Sequence, residues 1–176
     1  MHPITVAVFD QNVGRRAKFE HLLQGEQSIK LLLNPKSNEG DMIKNRRLIP
    51  RTNISPVEDM VAGIRRLNPR ILFVNIKQCI EEDCAMLMSL RRECPQTLVV
   101  LLADESVQEE NQVLHALASG ARGYLNFEAE SLHLSKAVHV IDRGEAWVPR
   151  KMLGKIIDQV SQWCQISSGG YLDSAR

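Results

Sequence analysis

Residues 71–76 read ILFVNI, an apolar run broken only by Asn75. A strand that is apolar at nearly every position, not at alternate ones, is typical of a parallel sheet buried on both faces. The run therefore predicts a buried strand with one polar side chain near its end. Residues 4–9 (ITVAVF) and 98–102 (LVVLL) have the same character and predict two further strands.

Helical patterns separate these strands along the chain. Two shorter strands are predicted at 29–33 and 123–125, and apolar residues spaced three and four apart predict helices around 14–24, 55–67, 84–93, 114–120 and 134–144. Five strands alternating with five helices predict an α/β protein, with a parallel sheet covered by helices on both faces. A sixth amphipathic helix from Leu153 to Cys164 is additional to this core, and it either packs on the domain or binds a partner chain.

Composition excludes several classes of protein. The 176 residues contain 22 Lys and Arg against 21 Asp and Glu, so the formal net charge is +1, which argues against a nucleic-acid-binding domain within them. No apolar run is long enough for a membrane span, and the first residues lack the features of a secretion signal. We expect a cytoplasmic protein without membrane contact, whose four cysteines are free thiols.

Ligand sites of open parallel sheets lie beyond the carboxyl ends of the strands, where the strand order reverses. For the order 2-1-3-4-5, that point lies between the first and third strands. The candidate residues at these strand ends are Asp10, Gln11, Asn75, Ala103, Asn126 and Phe127.

Residues 116–125 (ALASGARGYL) match the pattern AL-x-x-GA-x-GYL, which resembles the signature of receiver domains in LuxR/NarL-type bacterial response regulators. Residues 137–149 (AVHVIDRGEAWVP) are similar to the fifth helix of these domains and its exit. Residues 69–76 resemble their phosphoacceptor strand, and 95–103 their fourth strand. The resemblance covers about residues 4–160 and implies a flavodoxin-like (CheY-like) five-stranded sheet of order 2-1-3-4-5, here with an extra C-terminal helix.

The signature positions of this family are largely replaced. Asp10 is kept, but Gln11 stands at the second acidic position and Asn75 at the phosphoacceptor aspartate. Ala103 stands at the Thr or Ser of the fourth strand, and Phe127 at the lysine after the fifth. The resemblance therefore implies a degenerate receiver, or pseudo-receiver.

The replacements remove the chemistry of phosphoryl transfer. An asparagine amide is too weak a nucleophile to accept a phosphoryl group, and Phe127 cannot supply the cation that stabilises it. With Asp10 as the only remaining carboxylate, Mg²⁺ binding is expected to be weak or absent. The histidines and cysteines show no metal-ligand spacing. We predict a phosphorylation-independent receiver that is not an enzyme and has no metal site or cofactor.

The domain prediction has two parts. Residues 1–147 form the receiver-like domain, in which 34–54 is an inserted basic loop that either contacts a partner or forms a solvated surface. Residues 148–176 form a linker helix and tail. The resemblance implies that a helix-turn-helix DNA-binding domain follows such a linker, so we expect DNA binding only through a domain outside these residues.

Association is the expected output of such a regulator. We predict a homodimer, formed through the face between the fourth and fifth helices or through the sixth helix. The candidate dimer residues on the sixth helix are Leu153, Ile156, Ile157, Val160 and Trp163. Paired chains would hold two DNA-binding domains at half-site spacing and so control transcription. The alternative is a stand-alone adaptor whose receiver surface binds another protein.

Overall fold

A five-stranded sheet in the order β2-β1-β3-β4-β5 forms the centre of the computed structural model of the chain. The structure describes residues 2–32, 56–80, 84–103 and 110–168, so the predicted basic loop 34–54 lies outside the described residues. The strands are β1 (Ile4–Phe9), β2 (Ile29–Leu32), β3 (Ile71–Asn75), β4 (Leu98–Ala103) and β5 (Gly123–Asn126). Every pairing is parallel. The predicted fold class and strand order are confirmed.

The helices follow the predicted alternation, with two additional short ones. They are α1 (Val13–Leu23), α2 (Pro56–Leu67), α3 (Ile76–Ile80), α4 (Ala85–Glu93), α5 (Glu110–Ala118), α6 (Phe127–Glu130), α7 (Leu134–Asp142) and α8 (Arg150–Ser168). The six predicted helices correspond to α1, α2, α4, α5, α7 and α8. The additional helices α3 and α6 begin directly after β3 and β5.

Two apolar layers cover the two faces of the sheet, and successive side chains of β3 point alternately into one layer and the other. Ile71 and Phe73 point into the layer formed with α1 and α7, whereas Leu72 and Val74 point into the layer formed with α2, α4 and α5. All five residues of β3 are buried. This burial on both faces explains why the strand is apolar almost throughout.

The segment between α7 and α8 extends the sheet edge. Trp147 pairs with Gly123 of β5, and its carbonyl accepts a hydrogen bond of 2.7 Å from the Tyr124 N–H. A Cβ on Gly123 would lie 2.9 Å from the Trp147 oxygen, so this close approach requires glycine. Trp147 thereby fixes the position from which α8 begins.

Helix α8 packs on α5 at its start and exposes apolar side chains further along. Met152 is buried, and Ile156 packs against the core. Lys151 and Lys155 both form ion pairs with Glu110 at the start of α5. Leu153, Ile157 and Val160 remain exposed on another side of the helix. Part of the helix therefore packs on the domain, whereas binding of a partner by the exposed side chains stays a prediction. Among the described residues, no helix is long and apolar enough to cross a membrane.

Candidate functional site

The candidate site lies where the chain leaves β1 and β3 in opposite directions across the sheet. Phe9 of β1 pairs with Val74 of β3. The next residue of each segment, Asp10 and Asn75, therefore lies at the same carboxyl edge of the sheet. Asp10 is 4% exposed and Asn75 is 8% exposed, which is unusual for polar side chains. Gln11, at the second acidic position of the receiver pattern, is exposed. The structure thus brings two of the predicted residues together at the switch point.

Asp10 is held by groups of its own loop and of α1. Its Oδ1 accepts a hydrogen bond of 2.9 Å from the Asn12 N–H, and its Oδ2 lies 2.9 Å from Arg15 Nε. The second contact is an ion pair without the alignment of a hydrogen bond. Arg16 Nη1 donates to the Asp10 carbonyl oxygen at 3.0 Å. Two neighbouring arginines therefore hold the end of β1, and Arg15 supplies the counter-charge for the buried carboxylate.

The amide side chains at this edge bind the backbone that follows them. Asn75 Oδ1 accepts a hydrogen bond of 3.0 Å from the Lys77 N–H, which explains why α3 starts immediately after β3. Asn126 Oδ1 accepts one of 3.2 Å from the Ala129 N–H and so caps α6. Both amides therefore have a local structural role at the end of a strand.

Phe127 has become part of the apolar core. It is completely buried, and its ring stacks on Phe19 of α1 with centroids 5.7 Å apart and planes 11° apart. Phe19 in turn meets Phe73 of β3 edge to face at 4.8 Å. Lys18 Nζ lies 5.3 Å from the centroid of the Phe127 ring and forms an ion pair of 3.1 Å with Glu128. The ammonium group of Lys18 therefore lies on the outside of the aromatic stack.

Ala103, the last residue of β4, is also completely buried and pairs with Asn126. Its methyl group belongs to the layer formed with α2, α4 and α5. It has no hydroxyl group that could contact a ligand at the edge of the sheet.

These residues do not fit a magnesium ion, the cofactor that the resemblance to receivers implies. Mg²⁺ requires several hard oxygen ligands, mostly anionic. Asp10 is the carboxylate at the end of β1, and the guanidinium of Arg15 already neutralises it. At the end of β5, Glu130 Oε2 already accepts a hydrogen bond of 2.9 Å from the Asn126 N–H. Asn75 Oδ1 is engaged by backbone. In the part of the chain that the structure describes, no group of three or more His, Cys, Asp or Glu side chains could hold a metal ion.

Sequence reasoning missed Arg15, although the sequence carries a signal for it. Arg15 and Arg16 fall in the first turn of α1, which contains no acidic residue. Positive charge is unfavourable at a helix N-terminus because the backbone N–H groups there already carry partial positive charge. Two arginines in that position therefore indicate an anionic partner nearby, and Asp10 is the acid that precedes the helix in the sequence.

No protein-family model matches the chain, and no curated protein matches its sequence. Among solved structures, the chain is similar to the isolated REC domain of RcsB from Salmonella enterica serovar Typhimurium in the apo form, with a TM-score of 0.65 and 10% identity over 88% of this chain and 98% of that chain. The signal receiver domain of NarL from Mycobacterium tuberculosis gives 0.58 and 17% identity over 82% and 100%. The CheY-like protein TadZ from Pseudomonas aeruginosa PAO1 gives 0.53 and 15% over 77% and 96%. The chain has the receiver-domain fold. At these identities the likeness concerns the fold alone.

At the carboxyl edge of the sheet, the polar side chains of Asp10, Asn75 and Asn126 contact nearby groups of the chain itself. All three accept a hydrogen bond from nearby backbone, and Asp10 also has an internal arginine partner. The predicted dimer residues of α8 are divided, since Ile156 packs on the core while Leu153, Ile157 and Val160 are exposed. The side chain of Trp163 lies outside the described residues.

Proposed function

We propose that the chain is a phosphorylation-independent receiver domain of a bacterial response regulator and that it acts by association, with a second copy of itself as its partner. It would control transcription through a helix-turn-helix domain outside these residues. The single observation that carries the proposal is the ion pair of 2.9 Å between the buried carboxylate of Asp10 and Arg15. A cytoplasmic location accompanies this proposal.

The contacts at the edge of the sheet support the loss of phosphorylation. A phosphoryl acceptor must be a nucleophilic oxygen, and Asn75 offers an amide oxygen that is already bonded to the Lys77 N–H. Asp10 is shielded, because its side chain is 1% exposed and one oxygen faces the guanidinium of Arg15. Phe127 replaces the cation that would stabilise the transferred group. The proposal therefore assigns the domain no catalytic reaction and no metal ion.

The exposed side of α8 supports association. Leu153, Ile157 and Val160 lie at positions i, i+4 and i+7, which places them on one stripe of the helix, and each is at least 42% exposed. A groove of about 280 Å³ between α5 and α8 adjoins this stripe and is lined mainly by apolar side chains, including Leu114 and Leu117. Apolar surface of this kind is stabilised when it is covered.

The charge of α8 favours a second copy of the chain as the partner. From Leu153 to Ser168 the helix contains two charged residues of opposite sign, Lys155 and Asp158, and Lys155 is paired with Glu110 of α5. Two identical surfaces that carry a strong charge repel each other, whereas two nearly neutral surfaces do not. The stripe and its flanks are therefore compatible with self-association, and the paired chains would bring two DNA-binding domains together.

The test of phosphorylation is incubation with acetyl phosphate and Mg²⁺, followed by intact-mass measurement. A receiver domain that keeps its phosphoacceptor aspartate is treated in parallel as the positive control. We expect the control to gain a phosphoryl group and this protein to remain unmodified. A phosphoryl group mapped to Asp10 or to Asn75 contradicts the proposal.

The test of association is sedimentation velocity over a range of protein concentrations. We expect a dimer for the natural chain and a monomer for Ile157→Glu, because the substitution places a charge in the apolar stripe. Leu132→Glu is the matched control, since Leu132 is 87% exposed but lies in the turn before α7. This variant should remain dimeric. A monomeric natural chain at high concentration, or dissociation of both variants alike, contradicts the proposed surface.

A further inference from the structure

A thiol–imidazole pair lies on the opposite side of the sheet from α1, outside the site described above. Cys84 Sγ is 3.6 Å from His115 Nδ1, which joins the start of α4 to α5. When the ring carries its proton on Nε2, the thiol donates to Nδ1 and can transfer its proton to the imidazole. A cysteine beside a histidine is the arrangement that favours the nucleophilic thiolate form.

The backbone places this thiol in an unusual position. Cys84 precedes the first residue of α4, has φ of 60° in the left-handed region, and makes no side-chain hydrogen bond to the helix. Non-glycine residues rarely adopt this conformation unless the surrounding structure holds them there. Its N–H donates a 3.0 Å hydrogen bond to the Cys79 carbonyl oxygen, and its carbonyl accepts one of 3.2 Å from the Met88 N–H. The thiol is thereby directed to His115 at the N-terminal end of α4, where partial positive charge also favours an anion.

A cavity of about 330 Å³ reaches this pair. Ile80, Cys84, Asn111, Gln112 and His115 line it. Cys84 itself is 1% exposed, so a reagent must be small enough to enter the cavity. His115 also lines a neighbouring cavity of about 640 Å³ with Arg91 and Arg92, which adds positive charge on this side of the molecule. Three acidic residues, Glu81, Glu82 and Asp83, precede Cys84 in the sequence.

The other two described cysteines have no such environment. Burial, with a smaller contribution from Cys84, raises the pKa of the Cys79 thiol to about 12. Burial, followed by the charge of Glu93, raises the pKa of the Cys94 thiol, although Arg65 acts in the opposite direction. Both are therefore protonated at neutral pH, and they serve as internal comparisons for Cys84.

We propose that Cys84 is a site of oxidation by hydrogen peroxide, with His115 as the base that activates it. The thiol gives its proton to His115 Nδ1, and the thiolate sulfur attacks one oxygen of the peroxide. The O–O bond breaks as the S–O bond forms, which oxidises the sulfur to a sulfenic acid and reduces the peroxide. The departing hydroxide takes the proton from the imidazolium and becomes water, so that the histidine returns to its first state.

This inference does not depend on the proposed association. Oxidation would place a polar group between α4 and α5, the helix on which α8 packs. Hydrogen peroxide is the probe in the test because it is small enough to enter the cavity. The sulfenic acid that it forms can also be trapped with dimedone.

The experiment treats the whole chain with hydrogen peroxide in the presence of dimedone and maps the adducts by peptide mass spectrometry. All variants carry Cys164→Ser, so that the three remaining cysteines are those described above. We expect the adduct on Cys84 to form at least about tenfold faster than on Cys79 or Cys94, since each pKa unit changes the thiolate fraction about tenfold. Equal rates at the three cysteines, or adducts mainly on Cys79 or Cys94, overturn the proposal.

Two variants test the role of His115. His115→Gln removes the basic ring nitrogen and should slow the reaction of Cys84 about tenfold, again the effect of one pKa unit. Gln112→Ala is the matched control, because Gln112 lines the same cavity without a base. It should leave the rate unchanged. Thermal melting shows whether each variant is folded. If His115→Gln unfolds, the proposal is decided by comparing the adduct rates at Cys84, Cys79 and Cys94 in the protein that keeps His115. A rate that His115→Gln leaves unchanged in a folded protein overturns the role of the imidazole.

Discussion

The ion pair between Asp10 and Arg15 makes a quantitative prediction about stability. The Asp10 side chain is 1% exposed and that of Arg15 is 10% exposed, so water screens the pair only slightly. Removing one partner of a buried ion pair typically lowers the free energy of unfolding by about 3–5 kcal/mol, because the remaining charge is left uncompensated. In Arg15→Met, the Asn12 N–H still donates to the carboxylate and offsets part of the loss. We therefore expect a decrease of about 3 kcal/mol, at the lower end of that range.

The assay is urea denaturation followed by circular dichroism. With a dependence of about 2 kcal/mol per molar urea, the midpoint of Arg15→Met should fall by about 1.5 M. Arg16→Met is the matched control, because Arg16 binds only the Asp10 carbonyl oxygen and its loss should lower the free energy of unfolding by about 1 kcal/mol. The double variant Asp10→Asn with Arg15→Met removes both charges and should recover about 2 kcal/mol relative to Arg15→Met.

Two outcomes would refute this account of the site. Equal losses for Arg15→Met and Arg16→Met would show that the ion pair has no special contribution to stability. A double variant no more stable than Arg15→Met would show that Asp10 is not left uncompensated when Arg15 is removed. Either result would also weaken the proposal of a phosphorylation-independent receiver, because that proposal rests on this ion pair.

Other substitutions test the remaining parts of the structure. Phe127→Lys places an ammonium group in a completely buried aromatic stack and should lower the free energy of unfolding by at least about 3 kcal/mol. The control Leu132→Lys lies on the exposed surface and should change the free energy of unfolding by less than about 0.5 kcal/mol. Urea denaturation measures both values. Equal effects would place Phe127 outside the core. Gly123→Ala should destabilise the protein by about 1–3 kcal/mol because the new Cβ meets the Trp147 oxygen at 2.9 Å, while Gly154→Ala in open space on α8 should stabilise it by about 1 kcal/mol. Thermal melting that places both glycine variants on the same side of the natural chain would contradict this.

The sheet could be predicted from the sequence because burial on both faces leaves almost no freedom in the composition of the strands. All residues of β3 and nearly all of β4 are buried, so each strand appears as an apolar run with sharp ends. The short helix α3 between β3 and α4 could not be predicted in this way. It depends on a hydrogen bond between Asn75 Oδ1 and the Lys77 N–H, and the sequence pattern after Asn75 gives no apolar period for so short a helix.

The positions of the candidate site could be predicted, but the partners of its residues could not. Aligning Asp10, Asn75 and Phe127 with a receiver pattern shows which side chains stand at the positions of that pattern. It does not show that Arg15 faces Asp10, because their contact depends on the angle at which α1 leaves β1. It also does not show that Phe127 stacks on Phe19, since the two residues are far apart in the sequence and meet only when α1 packs on the sheet.

The replaced positions differ in how strongly the surrounding structure depends on them. Asn75 and aspartate have nearly the same shape, and a carboxylate could still accept the hydrogen bond from the Lys77 N–H. Asn75→Asp is therefore the reversion that the fold should tolerate best. The substitution would nevertheless place a second carboxylate next to Asp10. Among the contacts of the described residues, Arg15 is the cation at this edge, and it is already paired with Asp10, so the two carboxylates would repel each other. Phe127→Lys would require the aromatic stack to open. Reversal of the phosphoacceptor alone should thus leave the domain folded and still unreactive toward acetyl phosphate, because the cation that the reaction needs is excluded by the packing of Phe127.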